Sequence, residues 1–382
     1  MLVIGLMSGT SADAVDAALV EWPSGEEVRP FRLRAFCERP LGPALQERVH
    51  RLAAARVPGS EALAELVALD VELGERFAEA AQAVAQEADI PLDGVAAIAS
   101  HGQTVAHHPE RHGTLQLGDP SVIAERTGRP TVADFRARDL AAGGEGAPLA
   151  PFFHWAVMAE PGEARLVLNL GGIANLTWLP PDGDADAVQA FDVGPANSLM
   201  DGVLATATAG AERYDEGGAR AARGRVDDAL LAELLDDDFL RRPPPKSTGR
   251  ERYGLREAED LWRRSQARGR SLEDLLATLV AFVAAAVGEA AERFLPAGPV
   301  ARLLVGGGGA RNPTLMAALA ARGPAAHVEP FDAVGVPAGA AEAMAFSLMG
   351  RNALLGLANH LPRTTGARGR RILGELVPAP PA

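Results

Sequence analysis

The sequence contains a single cysteine, Cys37, so it can form neither an intrachain disulfide framework nor a cysteine metal cluster. Cys37 lies in an alternating apolar run, which favours a buried strand thiol over a nucleophile. Basic residues are also few, 37 against 50 acidic ones, and the formal net charge is -13. This charge argues against nucleic acid or an anionic membrane surface as the main partner. A nucleotide remains possible, because its binding needs only local donors and a metal.

Long apolar stretches are lacking as well. No window offers roughly 18 apolar residues without charge, so we expect no membrane span. The first apolar run has no basic residue before it and ends at Ser8-Gly9, so we expect no secretory signal. A chain of 382 residues is long enough for two domains with separate cores. These observations predict a soluble, cytoplasmic protein.

The first 22 residues predict a β-hairpin. Two apolar runs, 2–7 and 15–20, flank the turn Ser8-Gly9-Thr10-Ser11, and Asp13 and Asp16 lie nearby. Backbone N–H groups and small hydroxyls suit phosphate oxygens, and carboxylates suit Mg²⁺ held through water. A surface hairpin with ordinary turn residues has the same composition, so this turn alone leaves both interpretations open.

The same pattern recurs in the second half of the chain. A strand predicted at 165–170 leads through Gly171-Gly172 into a strand at 173–179, and a further glycine run, 306–309, separates a buried strand from a helix. Glycines there allow a flat adenine or ribose to approach the backbone. The set indicates a duplicated domain with nucleotide phosphates between its halves. The alternative is that these glycines only terminate strands.

The mixture of strands and amphipathic helices predicts the α/β class. A charged, glycine-rich segment without periodicity, 134–151, is interpreted as the domain boundary. We therefore predict an N-terminal domain at 1–135, completed by 358–382, and a C-terminal domain at 136–357. The predicted helices include 44–55, 60–88 with Ser60 as N-cap, 257–268, 271–294 and 338–357.

Two acidic residues are candidates for chemistry. Asp192 ends a predicted buried strand and precedes Gly-Pro, which places a carboxylate where it can take a proton from water or a hydroxyl. Alternatively it is a helix N-cap or a structural partner of Asn197. Glu342 lies in a helix of small residues and faces either solvent or a ligand. The histidines at 107, 108 and 112 lack the partners of a zinc site and are interpreted as solvated, whereas His101 directly follows a strand.

Taken together, these segments resemble the anhydro-N-acetylmuramic acid kinases, within the superfamily of sugar kinases, actin and heat-shock ATPases. The resemblance covers nearly the whole chain. The matching segments are 5–11 with Asp13 and Asp16, 101–104, 115–119, 133–136, 146–149, 169–175, 191–192, 244–251, 307–309 with Asn312, and 342–343.

The resemblance implies an α/β fold of two ribonuclease-H-like domains around a central nucleotide cleft. It further implies a homodimer, with helix 271–294 as a possible interface. The implied reaction converts 1,6-anhydro-N-acetylmuramic acid, ATP and water into N-acetylmuramic acid 6-phosphate and ADP, during peptidoglycan recycling. Asp192 would activate the water that attacks the anomeric carbon, and O6 would then attack the γ-phosphoryl group. The phosphoryl step needs mainly positioning and charge neutralisation by Mg²⁺.

The resemblance also implies binding residues. Those implied for ATP are Gly9, Thr10, Ser11, Ala12, Asp13, Ala14, Val15, Asp16, Gly171, Gly172, Asn175, Gly307, Gly308, Gly309 and Asn312, with Asp13 and Asp16 holding Mg²⁺ through water. Those implied for the sugar are His101, Gln103, Thr104, Gln116 and Glu342.

The sequence departs from the family pattern at three positions. Ala14, Val193 and Ala196 stand where the family usually has Gly, Thr and Gly, and each alanine restricts the backbone near a ligand. Two alternatives therefore stay open: a kinase for another sugar or small carboxylate on the same fold, and a non-catalytic sugar or nucleotide sensor. A glycosidase using Asp192 and Glu342 is the weakest alternative, because it leaves the phosphate-type loops unexplained.

Overall fold

The computed structural model describes residues 1–381, apart from the side chain of Arg250. The chain divides into two compact units. The first comprises Met1–Met158 together with the residues from Ala340 onwards, and the second comprises Ala159–Gly339. This division differs from the predicted domain boundaries, because segments 136–158 and 340–357 belong to the first unit.

The strands, in chain order, are β1 (Leu2–Ser8), β2 (Ala14–Glu21), β3 (Arg32–Pro40), β4 (Ala97–His108), β5 (Gly113–Leu117), β6 (Thr131–Ala133), β7 (Arg165–Leu170), β8 (Ile173–Leu179), β9 (Gln189–Pro195), β10 (Val300–Gly306), β11 (Ala325–Pro330) and β12 (Glu375–Val377). The α-helices are α1 (Pro43–Ala53), α2 (Gly59–Glu87), α3 (Pro120–Thr127), α4 (Ala137–Ala141), α5 (Ala150–Phe153), α6 (Asn197–Ala207), α7 (Asp228–Leu235), α8 (Asp238–Arg241), α9 (Arg250–Tyr253), α10 (Leu255–Ala267), α11 (Leu272–Phe294), α12 (Pro313–Arg322), α13 (Ala341–Leu354) and α14 (Pro362–Thr365).

Each unit is built on one sheet, and the two sheets share a topology. The first has the order β12-β6-β4-β1-β2-β3, with β5 added to β4, and the second has the order β11-β10-β7-β8-β9. In both, the first three strands of the unit are antiparallel neighbours, and the next strand lies parallel to the first. Turns or loops without an α-helix join the antiparallel strands, whereas the parallel partner follows a helical crossover. This 3-2-1-4 arrangement is that of a ribonuclease-H-like domain, so the predicted fold class is confirmed in each unit.

Helix α13 belongs to the first unit because its backbone lies directly on β1. A Cβ atom added at Gly5 would overlap the carbonyl oxygen of Ala343 and lie 2.6 Å from the backbone nitrogen of Ser347. The Ser347 hydroxyl also donates to the carbonyl of Val3 at 2.9 Å and accepts from the Trp22 indole at 2.9 Å. Because Ser347 and Trp22 are buried, these contacts fix the helix to the strand.

Helix α11 forms the core of the second unit. By length and composition it is the one helix of the described chain that could cross a membrane, but 83% of the relevant window is buried inside the protein. Its apolar residues pack against β8, β9, α7 and α12. The apolar side of this helix is therefore covered within the unit, and its suggested use as a dimer interface stays a prediction.

Other local predictions need correction. Helix α2 begins after Pro58 without a side-chain cap, so Ser60 is not its N-cap. Strand β4 continues to His108, which places His101 within the strand and not after it. The segment 134–151 is not simply a loop, because it contains α4 and the first residues of α5. Cys37, as predicted, is a buried strand thiol.

Candidate active site

Hydrogen bonds from Gln103 hold the turn between β1 and β2. The Gln103 amide nitrogen donates to the carbonyl of Gly9 at 3.1 Å, and its oxygen lies 2.7 Å from the hydroxyl of Ser8. Ser11 donates to the Asp13 carboxylate at 2.7 Å, which shapes the far side of the turn. Gln103 is buried, with 1% of its surface exposed. Its side chain therefore supports the predicted phosphate turn, and its predicted contact with the sugar stays a prediction.

Asp16 follows this turn on β2 and lies among other carboxylates. Burial raises its pKa from 3.8 to about 7, and the negative charges of Glu38, Glu342 and Asp13 add to the rise. In the part of the chain that the structure describes, these acids form no direct metal-binding group. Mg²⁺ keeps several of its waters and accepts a small number of carboxylates. The oxygen donors of Asp13 and Asp16 thus fit the predicted contact through water.

Without bound metal, the raised pKa of Asp16 makes its charged form costly to the folded state. Stability is therefore lost as the pH rises from 3.8 through about 7, and Asp16→Asn removes this loss. We expect the gain in melting temperature from Asp16→Asn to be larger at pH 8 than at pH 5, by thermal denaturation without Mg²⁺. Asp93→Asn is the control, because Asp93 is exposed. It should change the melting temperature by the same small amount at both pH values. A pH-independent effect of Asp16→Asn would contradict the prediction.

His101 is held as a neutral acceptor by Arg136. The Arg136 Nε–H donates to His101 Nε2 at 2.9 Å, and His101 Nδ1 lies 2.9 Å from the carbonyl of Gly102. Burial and the adjacent guanidinium both hold the pKa of His101 well below its usual range. The proton therefore resides on Nδ1. A neutral, oriented imidazole in this position is a hydrogen-bonding group and not a charge.

Arg136 brings a cation close to Glu342. Burial lowers the pKa of Arg136 to about 10, while Glu342 and Asp139 oppose that change. Glu342 is exposed, yet desolvation by surrounding protein raises the pKa of its carboxyl, with Arg136 again acting in the opposite direction. Sequence reasoning assigned no role to Arg136, although it ends the matched segment 133–136. The electrostatic interaction with Glu342 and the hydrogen bond to His101 make Arg136 a further candidate for the site.

Thr104 and Gln116 face each other across β4 and β5. They are register partners, and the Gln116 amide donates to the Thr104 hydroxyl at 3.2 Å and to Thr114 at 2.7 Å. Both predicted sugar-binding residues are half-buried. The structure therefore brings these two together on one ladder of the sheet.

In the second unit, the glycine run after β10 lies against the turn between β7 and β8. A Cβ atom at Gly307 would lie 2.5 Å from Asn169 Oδ1 and 2.8 Å from the Leu170 carbonyl carbon, and one at Gly309 would lie 2.6 Å from Leu170 Cβ. Asn197 links the start of α6 to the same turn, because its amide donates to the Leu170 carbonyl at 2.9 Å. The predicted groups 171–172 and 307–309 are thus neighbours.

Gly308 and Asn312 complete this region. A Cβ atom added at Gly308 would lie 3.7 Å from Asn197 Nδ2. Asn312 caps α12, because its side-chain oxygen accepts from the N–H of Leu315 at 3.1 Å. The side-chain oxygen of Asn312 therefore has a structural role that does not involve a nucleotide.

Gly307→Ala tests the importance of the close packing after β10. Gly307 has φ 76°, and an added methyl would press on the backbone of Leu170. We expect a loss of about 3 kcal/mol in the free energy of unfolding and a rise of at least about tenfold in KM for ATP. Gly210 is a matched control, since its φ is 83° but nothing lies within 4 Å of its Cβ position. Gly210→Ala should cost only about 1 kcal/mol of strain and leave KM unchanged; equal effects of the two substitutions would refute the packing argument.

Asp192 lies within β9, which continues to Pro195, and not at the end of the strand as predicted. Both of its carboxylate oxygens are hydrogen-bonded. Asn175 Nδ2 donates to Oδ1 at 2.5 Å, while the Thr248 N–H and the Ser247 hydroxyl reach Oδ2 at 2.9 and 3.1 Å. Burial raises the pKa of Asp192, and these donors together with Lys246 partly offset the rise. The alternative interpretations as an N-cap or a partner of Asn197 are wrong, because these other groups occupy its oxygens.

The arrangement suits proton transfer. Asp192 is half-buried, fixed in orientation and basic enough to accept a proton, which are the properties of a general base. The residues that hold it, 246–248, were matched as part of segment 244–251 but were not predicted as site residues. The Asn175 amide donates to Asp192, and its predicted contact with ATP stays a prediction.

Comparison with known proteins accounts for these motifs. The family model for anhydro-N-acetylmuramic acid kinase matches residues 1–379. The chain belongs to the anhydro-N-acetylmuramic acid kinase family. It is 45% identical to the kinase of that name from Xanthomonas axonopodis pv. citri, over 99% of this chain and 98% of the relative. It is 41% identical to the one from Salinibacter ruber, over 99% and 96% of the two chains.

A solved structure shows a more distant similarity. The activator of the 2-hydroxyisocaproyl-CoA dehydratase from Clostridium difficile, with bound ADPNP, is 12% identical, with 92% of this chain and 95% of that chain covered and a TM-score of 0.45. This similarity is too low to support a functional argument. Membership in the anhydro-N-acetylmuramic acid kinase family rests on the full-length sequence matches, and the resemblance noted from the motifs is confirmed.

Proposed function

We propose that this protein is an ATP-dependent kinase that opens 1,6-anhydro-N-acetylmuramic acid with water and phosphorylates its O6. The observation that carries the proposal is Asp192, a half-buried carboxylate with both oxygens held by donors, in a chain of this kinase family. The product is N-acetylmuramic acid 6-phosphate, released with ADP. The protein would thereby serve peptidoglycan recycling in the cytoplasm, acting as a homodimer.

In this reaction Asp192 accepts a proton from the water that attacks C1. As the C1–O6 bond breaks, O6 gains electron density and becomes the nucleophile for the γ-phosphoryl group of ATP. The leaving group of the first step is therefore the nucleophile of the second, so no separate acid is needed to protonate O6. Asn175, Ser247 and Thr248 keep the carboxylate aimed through its two oxygens. Positioning of this kind is a large part of enzymatic rate enhancement.

ATP would be held by two turns of similar construction. In the first unit these are residues 9–16, supported by Gln103, and in the second unit they are 171–172 with 307–309, supported by Asn197. Mg²⁺, when bound through water to Asp13 and Asp16, would neutralise phosphate charge. The sugar would contact His101, Gln103, Thr104, Gln116 and Glu342, to which we add Arg136.

The substrate is tested by offering a panel of sugars with Mg-ATP and reading products by mass spectrometry. The panel contains 1,6-anhydro-N-acetylmuramic acid, N-acetylmuramic acid, N-acetylglucosamine and glucose. We expect a 6-phosphorylated product from the anhydro sugar at a kcat/KM at least about 100-fold above that for glucose. Preferential phosphorylation of another sugar would assign a different kinase activity. Binding of ATP and sugar without any product would identify a sensor.

A further inference from the structure

The chain has 37 basic residues in the Lys and Arg class, yet only one of them, Lys246, is a lysine. Lys246 is also buried, with 5% of its surface exposed. Arginine and lysine differ in more than size, because the ammonium is a compact point charge and the guanidinium is a planar fork. The one position that holds a lysine is therefore a candidate for a role that depends on an ammonium.

An aromatic cage, formed by Phe191, Phe239 and Phe294, encloses the Lys246 ammonium. The Nζ atom lies 4.7 Å from the ring centroid of Phe239, 5.0 Å from that of Phe294 and 5.8 Å from that of Phe191. It also donates to the carbonyls of Phe239 and Leu240 at 3.1 and 3.3 Å. Cation–π attraction and charged hydrogen bonds together hold the ammonium in place. Since the cage residues come from β9, α8 and α11, the ammonium joins three elements of the second unit.

The backbone next to Lys246 holds Asp192. The Lys246 carbonyl accepts from the Asp192 N–H at 3.2 Å, and the following two residues donate to Asp192 Oδ2. Phe191 and Asp192 are adjacent on β9, so their side chains point to opposite faces of the strand. Residues 246–248, the Asp192-binding loop, thus place their lysine on the Phe191 side and their donors on the Asp192 side.

We propose that Lys246 is a positioning residue for Asp192, which acts by anchoring the Asp192-binding loop in the aromatic cage. Without the ammonium, the loop loses the two carbonyl contacts and the cage contacts that fix it. The Thr248 N–H and the Ser247 hydroxyl are then no longer held against Oδ2. The proposal rests on the proposed function of Asp192 as the base, and it goes beyond that function by naming what fixes the base.

The surroundings of Lys246 agree with a charge held inside the protein. Desolvation lowers its pKa from 10.5 to about 8, and the carboxylate of Asp192 opposes this change. The charged groups that act on the ammonium are Asp192, Arg293, Asp237 and Arg242. At neutral pH the amine is thus still mostly protonated and able to donate.

Lys246→Met tests the anchor, because methionine fills the apolar cage without a charge. Donors to Asp192 favour its carboxylate form, so their loss raises the pKa of Asp192. We expect the acidic limb of the pH profile of kcat/KM for the anhydro sugar to move to higher pH. We also expect kcat at pH 7 to fall by about tenfold or more, with KM for ATP changed by less than about twofold.

Arg351→Met is the matched control. Arg351 is a fully buried cation of the first unit that also donates to main-chain carbonyls, those of Pro23 and Glu27. Its loss should lower the melting temperature without moving the acidic limb. A wild-type acidic limb and kcat in Lys246→Met, or an equal shift in both variants, would overturn the proposal. Ser247→Ala removes one donor directly and should give a smaller shift in the same direction. Should Lys246→Met fail to fold, the titration of Lys246 described next decides the question.

A second measurement does not depend on activity. Because Lys246 is the only lysine, protein produced with ¹³C-labelled lysine and no lysine-containing tag gives one lysine ¹³Cε signal. We expect this signal to titrate with a midpoint near 8, and at lower pH in Asp192→Asn, because the carboxylate no longer supports the ammonium. Exposed Asp228 supplies the control, Asp228→Asn, with an unchanged midpoint. A midpoint unaffected by Asp192→Asn would refute the coupling, whereas absence of a phosphorylated product with the coupling intact would refute only the proposed function.

Discussion

Asp192→Asn is expected to lower kcat for 1,6-anhydro-N-acetylmuramic acid by about 10³-fold, within the usual range for loss of a general base. The amide cannot accept a proton from water. The NH₂ group of the asparagine would also face hydrogen-bond donors. In the wild-type protein both Asp192 oxygens accept hydrogen bonds, from Asn175, Ser247 and Thr248. Steady-state kinetics that follow the formation of ADP measure this loss of kcat.

Asp228→Asn is the control for this substitution, since Asp228 is an exposed carboxylate of the same unit. It should retain wild-type kcat. Affinity for ATP, measured by calorimetry, should stay within about threefold of wild type in Asp192→Asn, because a base removed from the chemical step costs kcat and not binding. If Asp192→Asn phosphorylated the anhydro sugar at a wild-type rate, another group would have to activate the water. If it phosphorylated only an open-chain sugar at a wild-type rate, the enzyme would be a simple sugar kinase.

Gly5→Ala is expected to destabilise the first unit by about 3 kcal/mol or more, at the upper end of the costs of overpacking. The added methyl would overlap the backbone of α13 at Ala343 and approach Ser347. Backbone atoms cannot move aside as the end of a flexible side chain can. Relief would therefore require the helix to shift away from β1, with loss of the buried hydrogen bonds of Ser347.

Urea denaturation followed by circular dichroism measures this change in the free energy of unfolding. Gly25→Ala is the matched control, because nothing lies within 4 Å of its Cβ position. We expect the control to change stability by less than about 0.5 kcal/mol. A Gly5→Ala variant as stable as the control would contradict the packing of α13 on β1, and with it the assignment of residues 340–357 to the first unit.

The second unit shows how much of the fold the sequence predicts. Strands β7 and β8 have the predicted bounds, because two apolar runs are separated by a glycine pair. Strand β4 was predicted too short, since Gly102, Gln103 and Thr104 have the composition of a turn. The structure continues the strand through them, with Gly102 at φ 73° and β5 pairing alongside. The composition of a segment does not reveal that a neighbouring strand will pair with its polar residues.

The site shows the same limit. Asp192 was found from an apolar run that was predicted to end at it, which is a local signal, although β9 continues to Pro195. Its partners Ser247 and Thr248 are more than fifty positions away, and only the fold brings them to it. Lys246 is distinguished in the sequence only by being the one lysine of the chain. Arg136 reaches His101 across 35 positions, and nothing in the spacing of the two residues predicts the contact.

The central claim is that one reaction couples addition of water at C1 to phosphorylation at O6. The most direct test incubates the purified protein with Mg-ATP and 1,6-anhydro-N-acetylmuramic acid in ¹⁸O-labelled water and reads the products by mass spectrometry. We expect a 6-phosphorylated sugar that carries one solvent oxygen at C1, with one ADP formed for each sugar. A product without solvent oxygen, or ADP formed without a phosphorylated sugar, would contradict the coupled reaction.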